Sequence, residues 1–289
     1  MDSLVVPPPP APPVDTPAPP ARNAAKAFKL SRRFDRTGRL LGDAAMERLA
    51  RARVIVFGLG GVGSYAVEGL VRSGIGHMTL VDFDKVCVTN TNRQLHATVR
   101  TVGKPKAELM AQRCRDINPD ADVQARCEFY REELADELLG PGYDFVVDAI
   151  DNVKAKLHLL HRCVSRGLPV VSSMGAAGRL DPTAVRVEDL SQTHMDPFAK
   201  DIRKLLKRKY GVPTERPTGI TAVYSIETRR QPLSLRYDAD DGFSCVCPND
   251  NDFHTCERRT QIDGSVAFVT SVFGMNAAGV VVRRLSVGR

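Results

Sequence analysis

Cationic, acidic and amide side chains recur in this 289-residue chain directly after its short apolar runs. Arg93 and Lys106 follow one such run, and Asp151 follows another. Two cations that neutralise a polyphosphate, with a carboxylate that holds Mg²⁺, are the groups that nucleotidyl transfer demands. These residues therefore predict chemistry on ATP and magnesium, with hydrogen bonds supplied by two nearby amides, Asn90 and Asn92.

The elements that must position these groups begin with a glycine-rich turn. Residues 54–57 form a β-branched apolar run typical of a buried strand, and a helical pattern follows from about residue 62 to 72. The turn between them matches G-x-G-x-x-G and holds Gly58, Gly60, Gly61 and Gly63. Glycines let backbone N–H groups approach a phosphate, and a helix N-terminus adds positive dipole character. This context predicts a nucleotide site at the turn.

A carboxylate ends the next predicted strand, at residues 77–81. Asp82 stands about twenty residues beyond the glycine turn, where an acidic residue accepts a hydrogen bond from a ribose hydroxyl. The same combination suits NAD, but a dehydrogenase has no use for cations and carboxylates around the phosphates. The residues therefore favour ATP, and an NAD-dependent oxidoreductase is the alternative from a different class.

Strand and helix patterns alternate along the next part of the chain, at residues 104–117, 123–130, 132–139, 143–148, 153–166 and 169–173. Such alternation is typical of α/β folds with right-handed crossovers. We predict a Rossmann-like, mostly parallel sheet with helices on both faces and, from about residue 184, an α+β C-terminal extension. The proline-rich residues 1–25 predict a disordered tail, and residues 26–289 predict one domain.

The composition restricts the partner and the compartment. A formal charge of +7 and a pI near 9.1 indicate an acidic partner, with nucleic acid the leading candidate. Seven cysteines without a Cys-x-x-Cys pair argue against a secreted disulfide framework and a structural zinc, which favours the cytoplasm. No signal-peptide pattern is present, and the apolar residues 266–282 are interpreted as a buried helix and not as a membrane segment.

Three of the cysteines lie together in a polar, turn-rich segment, residues 236–263, which we predict to be a loop. Cys245, Cys247 and Cys256 could ligate a metal with His254, but their spacing matches no common site. We therefore interpret them as unrelated cysteines.

A second candidate site is an amphipathic helix predicted at residues 196–210, which Asp196 can cap and Pro197 can open. One face carries Phe198, Ile202, Leu205 and Leu206, and the opposite face carries five cations, Lys200, Arg203, Lys204, Lys207 and Arg208. A solvated charged face is the usual meaning of such a pattern. Five cations without an acid on that face favour equally a contact with the phosphate backbone of a nucleic acid.

Taken in order, the motifs resemble those of the ubiquitin-activating-enzyme-like adenylating superfamily, of which ThiF and MoeB are bacterial members. The resemblance covers residues from about 28 to 289. The motifs that carry it are Arg33-Phe34-Asp35-Arg36, the glycine turn at 58–64, Asp82-x-Asp84, Asn90-Thr91-Asn92-Arg93-Gln94, Gly103-Lys104-Pro105-Lys106 and Asp148-Ala149-Ile150-Asp151-Asn152.

Within the superfamily the chain most resembles the tRNA threonylcarbamoyladenosine dehydratases, at residues 82–94, 148–151, 178–183, 196–199 and 264–274, and in lacking two Cys-x-x-Cys pairs. The resemblance implies ATP-dependent dehydration of N6-threonylcarbamoyladenosine beside the anticodon of ANN-decoding tRNAs. The substrate carboxylate attacks the α-phosphate to give an acyl-adenylate, and the carbamoyl group then closes a ring and expels AMP. The alternative within the superfamily is an adenylyltransferase that activates the C-terminal glycine of a ubiquitin-like sulfur carrier.

The resemblance also implies roles for individual residues. Gly61 lies against the phosphates, Asp82 binds the ribose, Arg93 and Lys106 bind phosphates, and Asp151 holds Mg²⁺. The nucleotide site includes three further residues, Asp84, Asp148 and Asn152. Arg36 reaches into the neighbouring subunit's site, which requires a homodimer, and no catalytic cysteine is needed. Relatives also imply a monovalent cation (K⁺ or Na⁺) and a cysteine-desulfurase sulfur relay as a partner.

Overall fold

The computed structural model describes residues 28–140, 142–235 and 263–287. Its described residues contain one seven-stranded sheet with the strand order β3-β2-β1-β4-β5-β7-β6. All neighbouring strands are parallel except β6 and β7, which are antiparallel. The strands are β1 (Arg53–Phe57), β2 (His77–Val81), β3 (Asp122–Arg126), β4 (Phe145–Asp148), β5 (Val170–Ser173), β6 (Val185–Asp189) and β7 (Ile220–Ser225). The predicted Rossmann-like, mostly parallel sheet is confirmed.

Helices cover both faces of this sheet. Alternate residues of β1 show why, since Val54 and Val56 pack into one apolar core while Ile55 and Phe57 pack into another. The helices in the described residues are α1 (Asp35–Leu41), α2 (Asp43–Arg51), α3 (Gly63–Arg72), α4 (Lys106–Ile117), α5 (Ala135–Leu138), α6 (Val153–Arg166), α7 (Pro197–Tyr210) and α8 (Ala267–Ser286). The first core takes side chains from α2, α3, α4 and α8, and the second from α5, α6 and α7.

The helix predicted at residues 266–282 is α8, and it packs closely against α3. A methyl group on Gly274 would stand 2.3 Å from the carbonyl oxygen of Val62, and one on Gly69 would stand 2.7 Å from the Cβ of Ala278. Such close approach of two helix backbones requires small residues at the contact. No helix in the described part of the chain has the length and hydropathy needed to cross a membrane.

Three predictions about elements need correction or lie outside the described residues. The strand predicted at residues 123–130 ends at Arg126, since the chain then turns to pack Phe129 and Tyr130 against other aromatic rings. The strand β7 was not predicted, although its Ile-Thr-Ala-Val-Tyr-Ser sequence has high β propensity. The proline-rich tail at residues 1–25 and the cysteines Cys245, Cys247 and Cys256 lie outside the described residues.

A buried ion pair joins β4, β5 and α6 beneath the carboxyl edge of the sheet. Lys156 and Asp148 are both 0% exposed, and Lys156 Nζ lies 2.6 Å from Asp148 Oδ2. The ammonium also donates to Ser172 Oγ at 3.2 Å and to the carbonyl oxygen of Ser173 at 3.0 Å. Ser172 Oγ in turn donates to Asp148 Oδ2 at 2.6 Å. Each charge is therefore compensated, as burial demands.

Removing the ammonium should leave the Asp148 carboxylate buried without its counter-charge. We expect Lys156→Met to lower the free energy of unfolding by about 3–5 kcal/mol, measured by urea denaturation. The control is Lys154→Met, which changes an exposed lysine on the same helix and should cost less than about 0.5 kcal/mol. Equal stability of the two variants would contradict a structural role for the pair.

Candidate functional site

The glycine turn between β1 and α3 is held by close backbone packing. Gly58 has φ +83° and donates its N–H to the carbonyl oxygen of Val81 at 2.9 Å. A methyl group on Gly63 would stand 1.7 Å from the carbonyl oxygen of Gly58, so no larger residue fits there. At Gly60, by contrast, the nearest atom to such a methyl group is Gln94 Nε2 at 3.9 Å. Two glycines thus shape the turn, and Gly60 leaves its surface open to a ligand.

Asp82 ties this turn to the end of β2. Its carboxylate is 8% exposed, and it accepts the N–H of Leu59 at 2.6 Å through Oδ2 and the N–H of Asp84 at 2.8 Å through Oδ1. Burial raises the pKa of Asp82, while the nearby ammonium of Lys106 opposes that shift. The carboxylate thus positions the glycine turn through Leu59, in addition to any contact with a ribose.

Lys106 is the first residue of α4, and its ammonium is enclosed among carboxylates. The residue is 5% exposed, and Nζ lies 2.8 Å from Asp84 Oδ2. Burial alone would lower the pKa of Lys106, but Asp82, Asp84 and Asp151 outweigh burial and hold that pKa above its ordinary value. Lys106 is therefore an ammonium at neutral pH, and the surrounding acids leave local negative charge that a divalent cation would neutralise.

The predicted phosphate ligand Arg93 lies over the glycine turn, held by its own segment. A methyl group on Gly61 would stand 3.2 Å from Arg93 Cγ and 3.2 Å from Thr270 Oγ1 of α8. Arg93 Nη1 donates to the carbonyl oxygen of Thr89 at 3.0 Å and to Asn92 Oδ1 at 2.9 Å. The structure therefore brings Arg93 and Gly61 together, as predicted.

The two predicted amides stabilise this segment. Asn90 is 9% exposed, and its Oδ1 accepts the N–H of Cys87 at 3.0 Å. Asn92 Nδ2 donates to the carbonyl oxygen of Ser265 at 2.8 Å, which joins the segment to the chain just before α8. Both side chains therefore have structural hydrogen bonds beside the candidate site.

The loop after β4 presents one carboxylate to solvent. Asp151 is exposed and is close enough to Lys106 to raise the pKa of that lysine. Asn152 caps α6 by accepting the N–H of Ala155 at 3.0 Å. Asp148, which the sequence places in the nucleotide site, is enclosed by the buried pair with Lys156, so it shapes the loop from beneath.

The side chains fit a magnesium ion that is shared with a nucleotide. The described residues contain no group of three or more His, Cys, Asp or Glu that could hold a metal alone. Mg²⁺ in nucleotide sites is usually bound by one or two carboxylates together with substrate phosphates. The exposed Asp151, beside the buried acids around Lys106, suits that arrangement.

Arg36 is not near the glycine turn of its own chain. It lies on α1, close to Phe34, whose ring carbon Cδ1 is 3.7 Å from where a methyl group on Gly74 would stand. Gly74 follows the C-terminal end of α3, and the glycine turn precedes the N-terminal end of that 10-residue helix. A helix of this length spans about 15 Å. The structure therefore places Arg36 at the opposite end of α3 from the other predicted residues.

The predicted cations of α7 do not form one uniform face. Asp196 caps the helix by accepting the N–H of Ala199 at 3.0 Å, and Ile202 and Leu206 are buried, as predicted. Arg203 does not join the exposed cations, because its guanidinium turns inward and donates to the carbonyl oxygen of Thr193 at 2.8 Å.

Two further features change the charge of the exposed face. Lys207 pairs with Glu215, and the acid Asp201 is also exposed on the helix, which corrects the predicted absence of an acid. The exposed set is therefore smaller than predicted and consists of Lys200, Lys204 and Arg208, with Lys209 beside them.

Sequence reasoning missed buried polar residues beside the site. Lys156 resembles any helix lysine in the sequence, since nothing in its neighbours indicates burial. Gln94 and His96 follow Arg93 and are both 6% exposed. Gln94 belongs to the motif that includes Arg93, which was an available signal; for His96 the sequence holds none.

Comparison with known proteins agrees with this geometry. Residues 34–287 match the model of the ThiF family. The chain is 41% identical over 252 residues to the tRNA threonylcarbamoyladenosine dehydratase of Bacillus subtilis, covering 87% of this chain and 94% of the relative. It is 39% identical over 260 residues to the enzyme of the same name from Escherichia coli, covering 88% of this chain and 93% of the relative.

The fold is also similar to a solved structure of that Escherichia coli dehydratase, crystallised in complex with ATP. The TM-score is 0.75 at 37% sequence identity, and the match covers 88% of this chain and 93% of the solved one. Family match, relatives and fold therefore agree over nearly the whole described chain. The chain belongs to the ThiF family and, within it, to the group of the tRNA threonylcarbamoyladenosine dehydratases.

Proposed function

We propose that this protein is an ATP-dependent dehydratase that cyclises N6-threonylcarbamoyladenosine beside the anticodon of ANN-decoding tRNAs. The observation that carries the proposal is the Lys106 ammonium, held by Asp84 beside Asp82 and Asp151 at the edge of the glycine turn. Relatives that carry this enzyme name match most of the chain. A cation among acids beside an open glycine turn suits a nucleoside triphosphate with its metal.

In the proposed reaction the substrate carboxylate attacks the α-phosphorus of ATP. The bond from that phosphorus to the pyrophosphate oxygen breaks, and an acyl-adenylate forms. The carbamoyl group of the same side chain then attacks the acyl carbon, loses a proton and closes a ring as AMP leaves. The oxygen lost from the carboxylate departs in AMP, so the modified nucleoside loses the elements of water.

Individual residues have distinct tasks in this scheme. Lys106 and Arg93 bind phosphate oxygens and offset the charge that develops on pyrophosphate. Asp151 holds Mg²⁺, which lowers the charge on the phosphates when it is bound. Asp82 binds the ribose. Because both reacting groups belong to one nucleoside, no cysteine nucleophile is required.

A homodimer would complete the site. Arg36 and the glycine turn lie at opposite ends of α3 within one chain, so Arg36 serves its own site poorly. A second copy, placed with its α1 against the open side of the turn, would supply that guanidinium. An arginine from a partner is well suited to stabilise a developing phosphate charge.

The tRNA would lie along the exposed face of α7. The N-cap Asp196 has its carboxylate 3.9 Å from the Cβ position of Gly175, which follows β5 at the carboxyl edge of the sheet. The glycine turn follows β1 at the same edge, since β1, β4 and β5 are parallel. Phosphate contacts on α7 would therefore position a tRNA whose modified nucleoside enters the site.

A sulfur-carrier adenylyltransferase would share the nucleotide site but would gain nothing from a tRNA surface. The NAD-dependent alternative is disfavoured, since a dehydrogenase has no need of the ammonium and carboxylates around Lys106. The monovalent cation, the sulfur relay and the cytoplasmic location stay predictions.

The first prediction concerns the metal. Asp151→Ala should reduce ATP-dependent pyrophosphate release about 10²- to 10³-fold, because the phosphates lose the carboxylate that holds Mg²⁺. Pyrophosphate release is measured with the tRNA substrate over a range of Mg²⁺ concentrations. The control is Asp120→Ala, at an exposed position beyond the other edge of the sheet. A rate equal to that of the control variant would remove Asp151 from the metal site.

The second prediction concerns the partner subunit. Arg36→Ala and Asp151→Ala proteins should each be inactive, and mixing them should restore about one quarter of the wild-type rate, since half of randomly paired dimers are mixed and each has one intact site. Native mass spectrometry verifies the mixed dimers. If mixed dimers form and the rate does not recover, Arg36 does not act in the neighbouring site.

The third prediction concerns the tRNA surface. Changing Lys200, Lys204 and Arg208 to Glu should weaken tRNA binding and flatten its salt dependence by about 0.7–0.9 log units for each phosphate that is no longer neutralised. ATP affinity should not change, because other segments build that site. The matched control exchanges the same three positions between Lys and Arg, which keeps the charge. Wild-type tRNA affinity of the Glu variant would show that this face is only solvated.

A further inference from the structure

The imidazole of His96 is buried at the candidate site. The residue is 6% exposed, and neither Nδ1 nor Nε2 has a hydrogen-bond partner among the described residues. Its backbone is firmly held, since its carbonyl oxygen accepts from Thr101 Oγ1 at 2.7 Å and the N–H of Leu95 donates to Ser64 Oγ at 3.3 Å. The ring therefore occupies a fixed place in which burial has removed its nitrogens from water.

Such a group is costly, because a buried donor or acceptor without a partner bears the full penalty of losing its hydration. The cost would be avoided by any apolar side chain of similar size. Burial and the nearby Lys106 ammonium lower the pKa of His96 to about 4, so the ring is neutral at physiological pH. A neutral imidazole has one N–H donor and one acceptor nitrogen.

Gln94 has a similar defect two residues earlier. It is 6% exposed, its Oε1 has no hydrogen-bond partner in the part of the chain that the structure describes, and its Nε2 lies near the open surface of Gly60. Arg93, the residue before it, lies against Gly61. Three polar residues of one short segment thus meet the glycine turn or the lysine beside it.

We propose that His96 is a nucleotide-binding residue whose neutral imidazole donates its N–H to a phosphate oxygen of ATP. This inference rests on the proposed function and adds a ligand to its site. Phosphate is the chemical class that the surroundings favour, since the ring lies near Lys106 and follows the segment that covers Gly60 and Gly61. Phosphate oxygens accept hydrogen bonds and carry negative charge, so they match both the ring donor and the neighbouring ammonium.

The test compares ATP with adenosine, which lacks phosphates. Calorimetry should show that His96→Leu weakens ATP binding about tenfold or more, the loss expected for a hydrogen bond to a charged group. Adenosine binding should be unchanged. His96→Gln or His96→Asn, which place an amide N–H near Nε2 or Nδ1, should restore ATP affinity, and the better of the two identifies the donor nitrogen. The control is His77→Leu, at the other end of β2, which should bind ATP normally.

A merely structural histidine would behave differently. If the unpaired ring is a cost borne for ligand binding, free His96→Leu protein should unfold at the same temperature as the wild type or a higher one. Unchanged ATP affinity in His96→Leu, or an equal loss for ATP and adenosine, would overturn the role proposed for His96. Wild-type protein that binds no ATP would instead overturn the proposed function.

A second measurement needs no folded variant. In wild-type protein labelled with ¹⁵N-histidine, one His96 ring N–H should become protected from exchange on addition of ATP but not of adenosine. A His96→Gln spectrum assigns the signal where that variant folds, and selective broadening by its neighbours assigns it otherwise. An unchanged His96 ring signal at saturating ATP would overturn the proposal.

Discussion

The carboxylate of Asp82 joins the elements on which the rest of the site depends. It accepts one backbone N–H from the glycine turn and another from the segment after β2. The second of these fixes Asp84, and Asp84 holds the ammonium of Lys106 at the start of α4. The turn, the end of β2 and the start of α4 are therefore connected through two carboxylates, so a nucleotide would meet groups already held in place.

This arrangement explains which features the sequence predicts and which it does not. The glycine turn and the strand that precedes it are local patterns, and both occur where the sequence places them. The partners of charged side chains depend on elements distant in sequence. Asp148 looks like a ligand after a strand, but Lys156 and Ser172 enclose it. Arg203 looks like an exposed cation of α7, but carbonyl oxygens of the preceding segment accept its hydrogen bonds.

The sheet also divides the proposed tasks by position. The strands β3, β2, β1 and β4 form the part whose carboxyl edge holds the glycine turn and its acids. The strands β5, β7 and β6 form the other part, where α7 begins beside the loop that follows β5. The buried Lys156–Asp148 pair joins β4 to β5 at this division. Nucleotide groups and the candidate tRNA surface are thus mounted on one continuous sheet.

The close packing of α8 on α3 has a consequence for how the protein is made. Thr270 of α8 lies against Gly61, and Gly274 lies against the first turn of α3. These contacts join residues about two hundred positions apart, so on a ribosome, where domains form as the chain emerges, the cover of the glycine turn arrives late. Until α8 leaves the exit tunnel, the apolar face of α3 lacks its neighbour and is open to chaperones. A nascent chain therefore cannot bind its nucleotide in the mature manner before translation has passed this helix.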